Sequence, residues 1–199
     1  MKRIITSISS FESLRESEAL YVDKTAYLYN LVSDAPGMYF CSRPRRFGKT
    51  LAISTLESLF KGKRELFKGL AIDSLDYDWK MYPVLQIDFG KCQAKNPEEI
   101  EDWINFTLGR IASEYGLLID KNEKYYQNMA TLIEELAKNS KVVILVDEYD
   151  KILSSNIYNP CVEAMRDVIR GFFEVIKASY DGIRFVFITG VTKYAKVSV

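Results

Sequence analysis

An α/β fold built on a mainly parallel sheet is what this sequence predicts, and three observations carry that expectation. Four strand-length apolar runs alternate along the chain with segments whose apolar residues repeat at helical spacing, the order that gives parallel strands joined by crossover helices. The third run, Val142 to Val146 (VVILV), is β-branched and apolar on both faces, as expected of a strand covered on two sides. A Gly-Lys-Thr, residues 48 to 50, stands between the first run and the helical segment that follows it.

The elements follow in order. Ser9 to Asp23 is of mixed polarity and leads into a short helix expected over Lys24 to Val32, which Asp34-Ala35-Pro36-Gly37 breaks. Met38 to Ser42 (MYFCS) reads as a buried strand. Leu51, Leu56, Leu59 and Phe60 share one face, so Lys49 to Phe60 should be helical. Pro83 to Phe89 (PVLQIDF) is the second strand. Two helices come next, one striped by Ile100, Trp103, Ile104, Leu108 and Ile111, the other by Met129, Leu132, Ile133 and Leu136. After the Val142 to Val146 strand, helical spacing returns at Val162, Met165, Ile169, Phe172, Phe173 and Ile176, and Ile183 to Thr189 (IRFVFIT) is the last strand. No linker or repeat divides the chain, so residues 1 to 199 are expected to form one domain, with residues 1 to 36 as its lead-in.

Composition removes several function classes. Lys+Arg 27 balances Asp+Glu 27, so no global field draws a polyanion, and nucleic-acid binding would need a local patch. With His 0 there is no Ser-His-Asp triad, no Cys-His pair and no histidine zinc site. Cys41, Cys92 and Cys161 are scattered without CxxC spacing, which argues against a disulfide framework and for a reducing, cytoplasmic setting. The apolar runs are far shorter than a bilayer span, so no membrane segment is expected.

Chemistry concentrates at two places. Arg43-Pro44-Arg45-Arg46-Phe47-Gly48-Lys49-Thr50 ends as a Walker A loop ends. In such a loop, backbone N–H groups of Arg45, Arg46, Phe47 and Gly48 would wrap a phosphate, with Gly48 allowing close approach. Lys49 would reach the outer phosphates and Thr50 would ligate Mg²⁺, at the positive end of the following helix. The pattern departs from the usual one because Arg43 stands where the first glycine is expected, and Pro44 restricts it. The bland alternative is a Gly-Lys-Thr that merely starts a helix. About a hundred residues downstream, the apolar strand runs into Asp147-Glu148, the Walker B pattern. There Asp147 would hold Mg²⁺ through its water shell, and Glu148 would orient and deprotonate the attacking water. Thr189, before Gly190, stands where a polar sensor of the γ-phosphate is expected. Asp150 reads equally as a support for Lys49 or a metal water, and as an exposed acid. Of Arg45 and Arg46, at least one is expected to point outward, toward a partner or a nucleic-acid backbone, because the loop backbone and Lys49 already occupy the phosphates. Asp88-Phe89-Gly90 is a chance match to a kinase metal motif. Thr192-Lys193-Tyr194-Ala195 lacks the acid of a guanine-reading motif, so ATP is favoured over GTP.

With these motifs the fold becomes a P-loop NTPase-type three-layer α/β/α arrangement. Across four blocks the chain resembles the AAA-ATPase-like domain family of bacteria and archaea, whose members commonly carry a PD-(D/E)XK nuclease-like domain after the ATPase part. The blocks are Tyr21-Val22-Asp23-Lys24-Thr25, the arginine-rich loop 43 to 50, Asp147-Glu148-Tyr149-Asp150, and Thr189-Gly190 with Lys193. The resemblance implies an ATPase with ATP and Mg²⁺, makes Arg43 a family variant of the loop, and implies a role for Asp23 or Lys24 that has no physical derivation from the sequence. It also implies a C-terminal nuclease-like domain or partner protein, and no Asp…Glu-x-Lys set appears in these residues to replace one. Two readings stand: an ATPase that gates or powers an attached nucleic-acid-directed activity, and a slow or non-hydrolysing nucleotide switch that acts as an interaction module. No arginine finger is evident in cis, and one supplied by another subunit of an oligomer would be worth about 10³ to 10⁵ in rate.

The resemblance to ATPases of the Walker type with a catalytic Glu, whose sensor strand lies between the loop strand and the Walker B strand, implies a strand order: loop strand, Ile183 to Thr189 strand, Val142 to Val146 strand, Pro83 to Phe89 strand. In this order the loop strand sits at an open edge, swapped with another chain or covered by the N-terminal segment. The ten residues from Gly190 to Val199 are too few for a crossover and a returning strand, so the core is expected to lack its last strand.

Overall fold

The computed structural model describes residues 3–5, 7–33 and 36–192. Helices α1 (Phe11–Glu16) and α2 (Thr25–Ser33) lead to β1 (Gly37–Ser42) and α3 (Lys49–Phe60). Then come β2 (Val84–Asp88), α4 (Pro97–Glu114), α5 (Tyr125–Ala137), β3 (Val142–Asp147), α6 (Lys151–Ser155), α7 (Val162–Ala178) and β4 (Ile183–Gly190). The four strands form one sheet in the order β1-β4-β3-β2, and every pairing is parallel. That is the expected order. β1 pairs with β4 alone among the described residues, and all six of its residues are half-buried, so it is an edge strand. The segment from 193 onward, including Lys193 and Ala195, and the Asp34–Ala35 part of the expected break lie outside the described residues.

Period-two alternation sorts the strand side chains onto two faces. Val142, Ile144 and Val146 of β3 pack with Val186 and Ile188 of β4 against α4, α5 and α7. Val143 and Leu145 point the other way, with Phe185 and Phe187, against Ile53, Leu56 and Phe60 of α3 and Phe11, Leu28 and Val32 of α1 and α2. Helices therefore cover both faces, and the sheet is the middle of three layers.

Differences from expectation have local causes. The N-terminal segment is not only a lead-in: Phe11 is fully buried, its N–H donates to Ser54 Oγ at 2.9 Å, and Arg15 Nε donates to Leu66 O at 2.7 Å. It packs on α3, and its described residues add no strand beside β1. α2 starts at Thr25, one residue late, where the Thr25 N–H and hydroxyl both donate to Asp23 Oδ1. β2 is shorter than Pro83 to Phe89, since Pro83 has no N–H to give to a ladder and Phe89 enters a 3₁₀ turn (Phe89–Lys91). α4 starts before its apolar stripe, at Pro97, with Asn96 accepting from Glu99 N–H at 2.8 Å. Among the described residues no helix is long and apolar enough to cross a membrane.

Candidate functional site

Parallel strands end on a common side, so the carboxyl edge of this sheet collects the segments that follow Ser42, Asp88, Asp147 and Gly190. Asp88 and Asp147 are direct partners in register, as are Ser42 and Gly190. The loop after β1 is sewn to the end of β4: Arg43 N–H donates to Gly190 O at 3.2 Å, and Ser42 Oγ donates to Val191 O at 3.0 Å.

From Arg43 to Gly48 every loop residue is exposed. Arg46 (φ 66°) and Gly48 (φ 76°) both adopt the left-handed conformation, whereas the residues on either side of each do not. This alternation turns successive N–H groups toward one concave side. At Gly48 the backbone angle is what requires glycine, since a Cβ there would meet no atom within 4 Å. Arg46 holds its angle at a steric penalty of about 1–3 kcal/mol. Gly48 also precedes α3, whose N-terminus has no side-chain cap, so its first N–H groups are open to an anion. Lys49 is buried, 7% exposed, and its Nζ donates to Arg43 O at 2.9 Å and Pro44 O at 3.0 Å, closing the loop on itself. Thr50 is half-buried on the first turn of α3, and its hydroxyl makes no hydrogen bond among the described residues. Arg45, Arg46 and Phe47 project outward, Phe47 at 63% exposure.

The acidic half is built differently. Asp147 and Thr189 are fully buried, and Thr189 Oγ1 donates to Asp147 Oδ1 in a short hydrogen bond. Glu148 N–H points at the same pair, 3.0 Å from Asp147 Oδ1 and 3.3 Å from Thr189 Oγ1. Asp147 Oδ2 has no hydrogen bond among the described residues, which leaves it as the oxygen free for a ligand. Glu148 takes the left-handed conformation (φ 49°) and turns its carboxylate toward the segment after β2, against Gly90.

One residue of this half departs from its sequence reading, and two more, Tyr149 and Gly190, have roles the sequence did not suggest. Asp150 supports neither Lys49 nor exposure to solvent: it is 3% exposed, and its Oδ2 accepts from Val191 N–H at 3.0 Å, Thr192 N–H at 2.7 Å and Thr192 Oγ1 at 2.7 Å. Tyr149 N–H donates to Thr189 O at 3.1 Å and its hydroxyl to Thr192 O at 2.9 Å. Its ring fills the space over Gly190, where a Cβ would stand 2.6 Å from Tyr149 Cε1. The turn after β3 and the turn after β4 are thereby locked together, and the glycine directly after a strand-ending threonine was the available signal.

Asp23 is not at this edge. Its Oδ1 accepts from Thr25 N–H at 2.8 Å and Thr25 Oγ1 at 2.7 Å, and its Oδ2 from Ala71 N–H at 2.7 Å. Partial burial pushes its carboxyl up, and these three hydrogen bonds outweigh that and hold it below the usual range. Asp23 thus ties the start of α2 to the turn at Ala71–Ser74.

The edge encloses little space. Arg45, Glu148, Asp150, Lys151 and Thr192 border a cleft of about 70 Å³, well under the roughly 300–1,000 Å³ of a small-molecule pocket. A hollow of about 380 Å³ opens instead along the outer side of β2, between Lys61, directly after α3, and Trp103 and Arg110 of α4. A group recognised here would be one bound by loop N–H groups on an open edge.

Residues 5–199 match the family model described as predicted AAA-ATPase. The chain belongs to that family. It is also 36% identical over 203 residues to the "Uncharacterized protein in vnfD 5'region" of Azotobacter chroococcum mcd 1, a match that takes in 100% of this chain and 39% of that protein. The chain therefore spans well under half the length of this relative. No solved structure matches it. Membership of the predicted AAA-ATPase family suggests ATPase-like nucleotide binding, and the arginine-rich loop and the acid pair are the parts of this member that bear on it.

Proposed function

We propose that this chain is a P-loop ATPase domain that binds ATP with Mg²⁺ at the loop Arg43–Thr50 and hydrolyses it. The observation that carries the reading is the loop itself: left-handed Arg46 and Gly48 aim N–H groups into one concavity, at the uncapped N-terminus of α3, with the Lys49 ammonium folded into the same turn. An ammonium has three donors, and two of them on Lys49 are taken by Arg43 O and Pro44 O, which leaves one for an outer phosphate.

The residues fit Mg²⁺ of the kind that comes with a nucleotide. Such an ion keeps several waters and takes one or two protein oxygens beside the phosphates. Among the described residues no three acids or thiols gather into a metal cage. Thr50 Oγ1 and Asp147 Oδ2 are the oxygens left over for it, and when bound the ion would offset negative charge on the transferring phosphate. Thr189 keeps Asp147 in place by holding its other oxygen. Glu148, directly after Asp147, is the base that would orient and deprotonate the attacking water, and Thr189 borders the γ-phosphate position. In a longer protein, such as the relative, the cycle would gate or power an attached or partner activity directed at nucleic acid. The guanidinium groups of the exposed loop support this part of the reading.

Calorimetry on Lys49→Ala tests the site: most of the MgATP affinity should be lost, and unchanged affinity would refute it. Phosphate release, measured with and without DNA, tests the reaction, and Glu148→Gln should retain ATP while losing about 10² or more in turnover. A parent that binds MgATP and releases no phosphate would be a nucleotide-holding switch.

A further inference from the structure

A general base must sit in one place, and Glu148 has little to hold it there. Its side chain turns about three bonds, and among the described residues its carboxylate makes no hydrogen bond or ion pair. The contact that limits it comes from the Asp88-Phe89-Gly90 turn, which the sequence offers only as a chance match. An added Cβ at Gly90 would lie 2.9 Å from Glu148 Oε2 and 3.4 Å from its Cδ, and 2.8 Å from Asp88 Oδ1. Carbon atoms at side-chain positions do not approach that closely, so the carboxylate rests in the space a side chain at 90 would take. Gly90 does not have a left-handed φ, so here glycine is required by space and not by backbone angle.

The turn is itself firmly placed. Phe89 is fully buried, with its ring 5.4 Å from those of Phe172 and Trp103. Asp88 Oδ1 accepts from Gly90 N–H at 3.0 Å, and Asp88 Oδ2 lies 3.3 Å from Lys91 Nζ. Register explains the meeting: Asp88 and Asp147 are partners at the ends of neighbouring strands, so the residues that follow each of them share the edge.

From this geometry we infer that Gly90 is a positioning residue for Glu148, a backbone seat that fixes where the carboxylate can stand. The inference rests on Glu148 being the base. In Gly90→Ala the added methyl displaces the Glu148 carboxylate, because Asp88 is bound into the same turn and moves with it.

The test is a double-mutant cycle with four proteins: parent, Gly90→Ala, Glu148→Gln and the pair. Single-turnover hydrolysis of bound MgATP should slow about tenfold or more in Gly90→Ala, as expected when a base is misplaced by an ångström or so. Its MgATP Kd should stay within about twofold of the parent, the signature of an interaction made only in the transition state. In the Glu148→Gln background the methyl should cause no further loss. A crystal structure of nucleotide-free Gly90→Ala should show the carboxylate moved off the turn. A parental rate in Gly90→Ala, or an equal loss in both backgrounds, would overturn the inference. Glu148→Gln at the parental rate would instead overturn the base assignment and take the inference with it. Should Gly90→Ala fail to fold, adding Glu148→Ala must restore folding by making room; failure to do so would locate the clash within the turn and refute the seat.

Discussion

The two halves of the carboxyl edge are made on opposite plans. On the acid side Asp147, Tyr149, Asp150, Thr189 and Gly190 are buried, and Asp147 Oδ1, Asp150 Oδ2 and the Tyr149 N–H are each held by a partner from the turn after β4 or its last residues. On the loop side Arg43 to Gly48 are exposed, two residues hold left-handed backbone angles, and Lys49 provides the closing bonds. Folding alone therefore sets the positions of the Asp147 and Asp150 carboxylates. The loop keeps its N–H groups on an open side, where water holds them until an anion takes its place. A site that stabilises developing charge needs rigid groups, and a site that admits a bulky anion needs an open side. Here the two requirements fall on different strands.

Two glycines, one in each half, can break or sharpen this contrast. Gly190→Ala should show the larger effect on stability, about 1–3 kcal/mol by denaturant unfolding, because its methyl would be driven into the Tyr149 ring and toward Asp150 Oδ1. Little change would mean that the acid half is looser than its hydrogen bonds imply. Gly48→Ala should lose only about 1 kcal/mol, the penalty of a left-handed alanine in open space. Its MgATP affinity should fall further than its stability does, since relaxing that angle re-aims the N–H groups. Equal losses of stability in the two variants would erase the distinction between the halves.

Much of this edge was legible because its signals are local or periodic. The four apolar runs follow from hydrophobic pattern, their order from the resemblance to Walker-type ATPase sheets, and α3 spans Lys49 to Phe60 as expected. The placement of the loop and the acid pair on one edge follows from their position directly after strands. What could not be read depends on partners far away in sequence. Asp150 finds Val191 and Thr192 across 41 and 42 positions, Asp23 finds Ala71 across 48, and Gly90 meets Glu148 only through the register of two strands. α1 escaped notice because six residues are too few to display a period, although Phe11 anchors a core face.

The smallest expected effects concern the two arginines that the loop displays, and they ask whether its open side is uniform. Both are exposed, so Arg45→Ala and Arg46→Ala should each leave stability within about 0.5 kcal/mol of the parent. Their positions differ, however. Arg45 borders the cleft shared with Glu148, Asp150 and Thr192, on the same edge as the acid pair. Arg46 stands at the left-handed position of the turn, and its outward course leaves it for a partner or a nucleic-acid backbone. Calorimetry with MgATP should therefore show a loss of a few-fold for Arg45→Ala, small because an exposed guanidinium is screened by water and salt. For Arg46→Ala the affinity should be unchanged. Strong and equal losses would mean that both arginines serve the triphosphate, and neither would then be left for a partner.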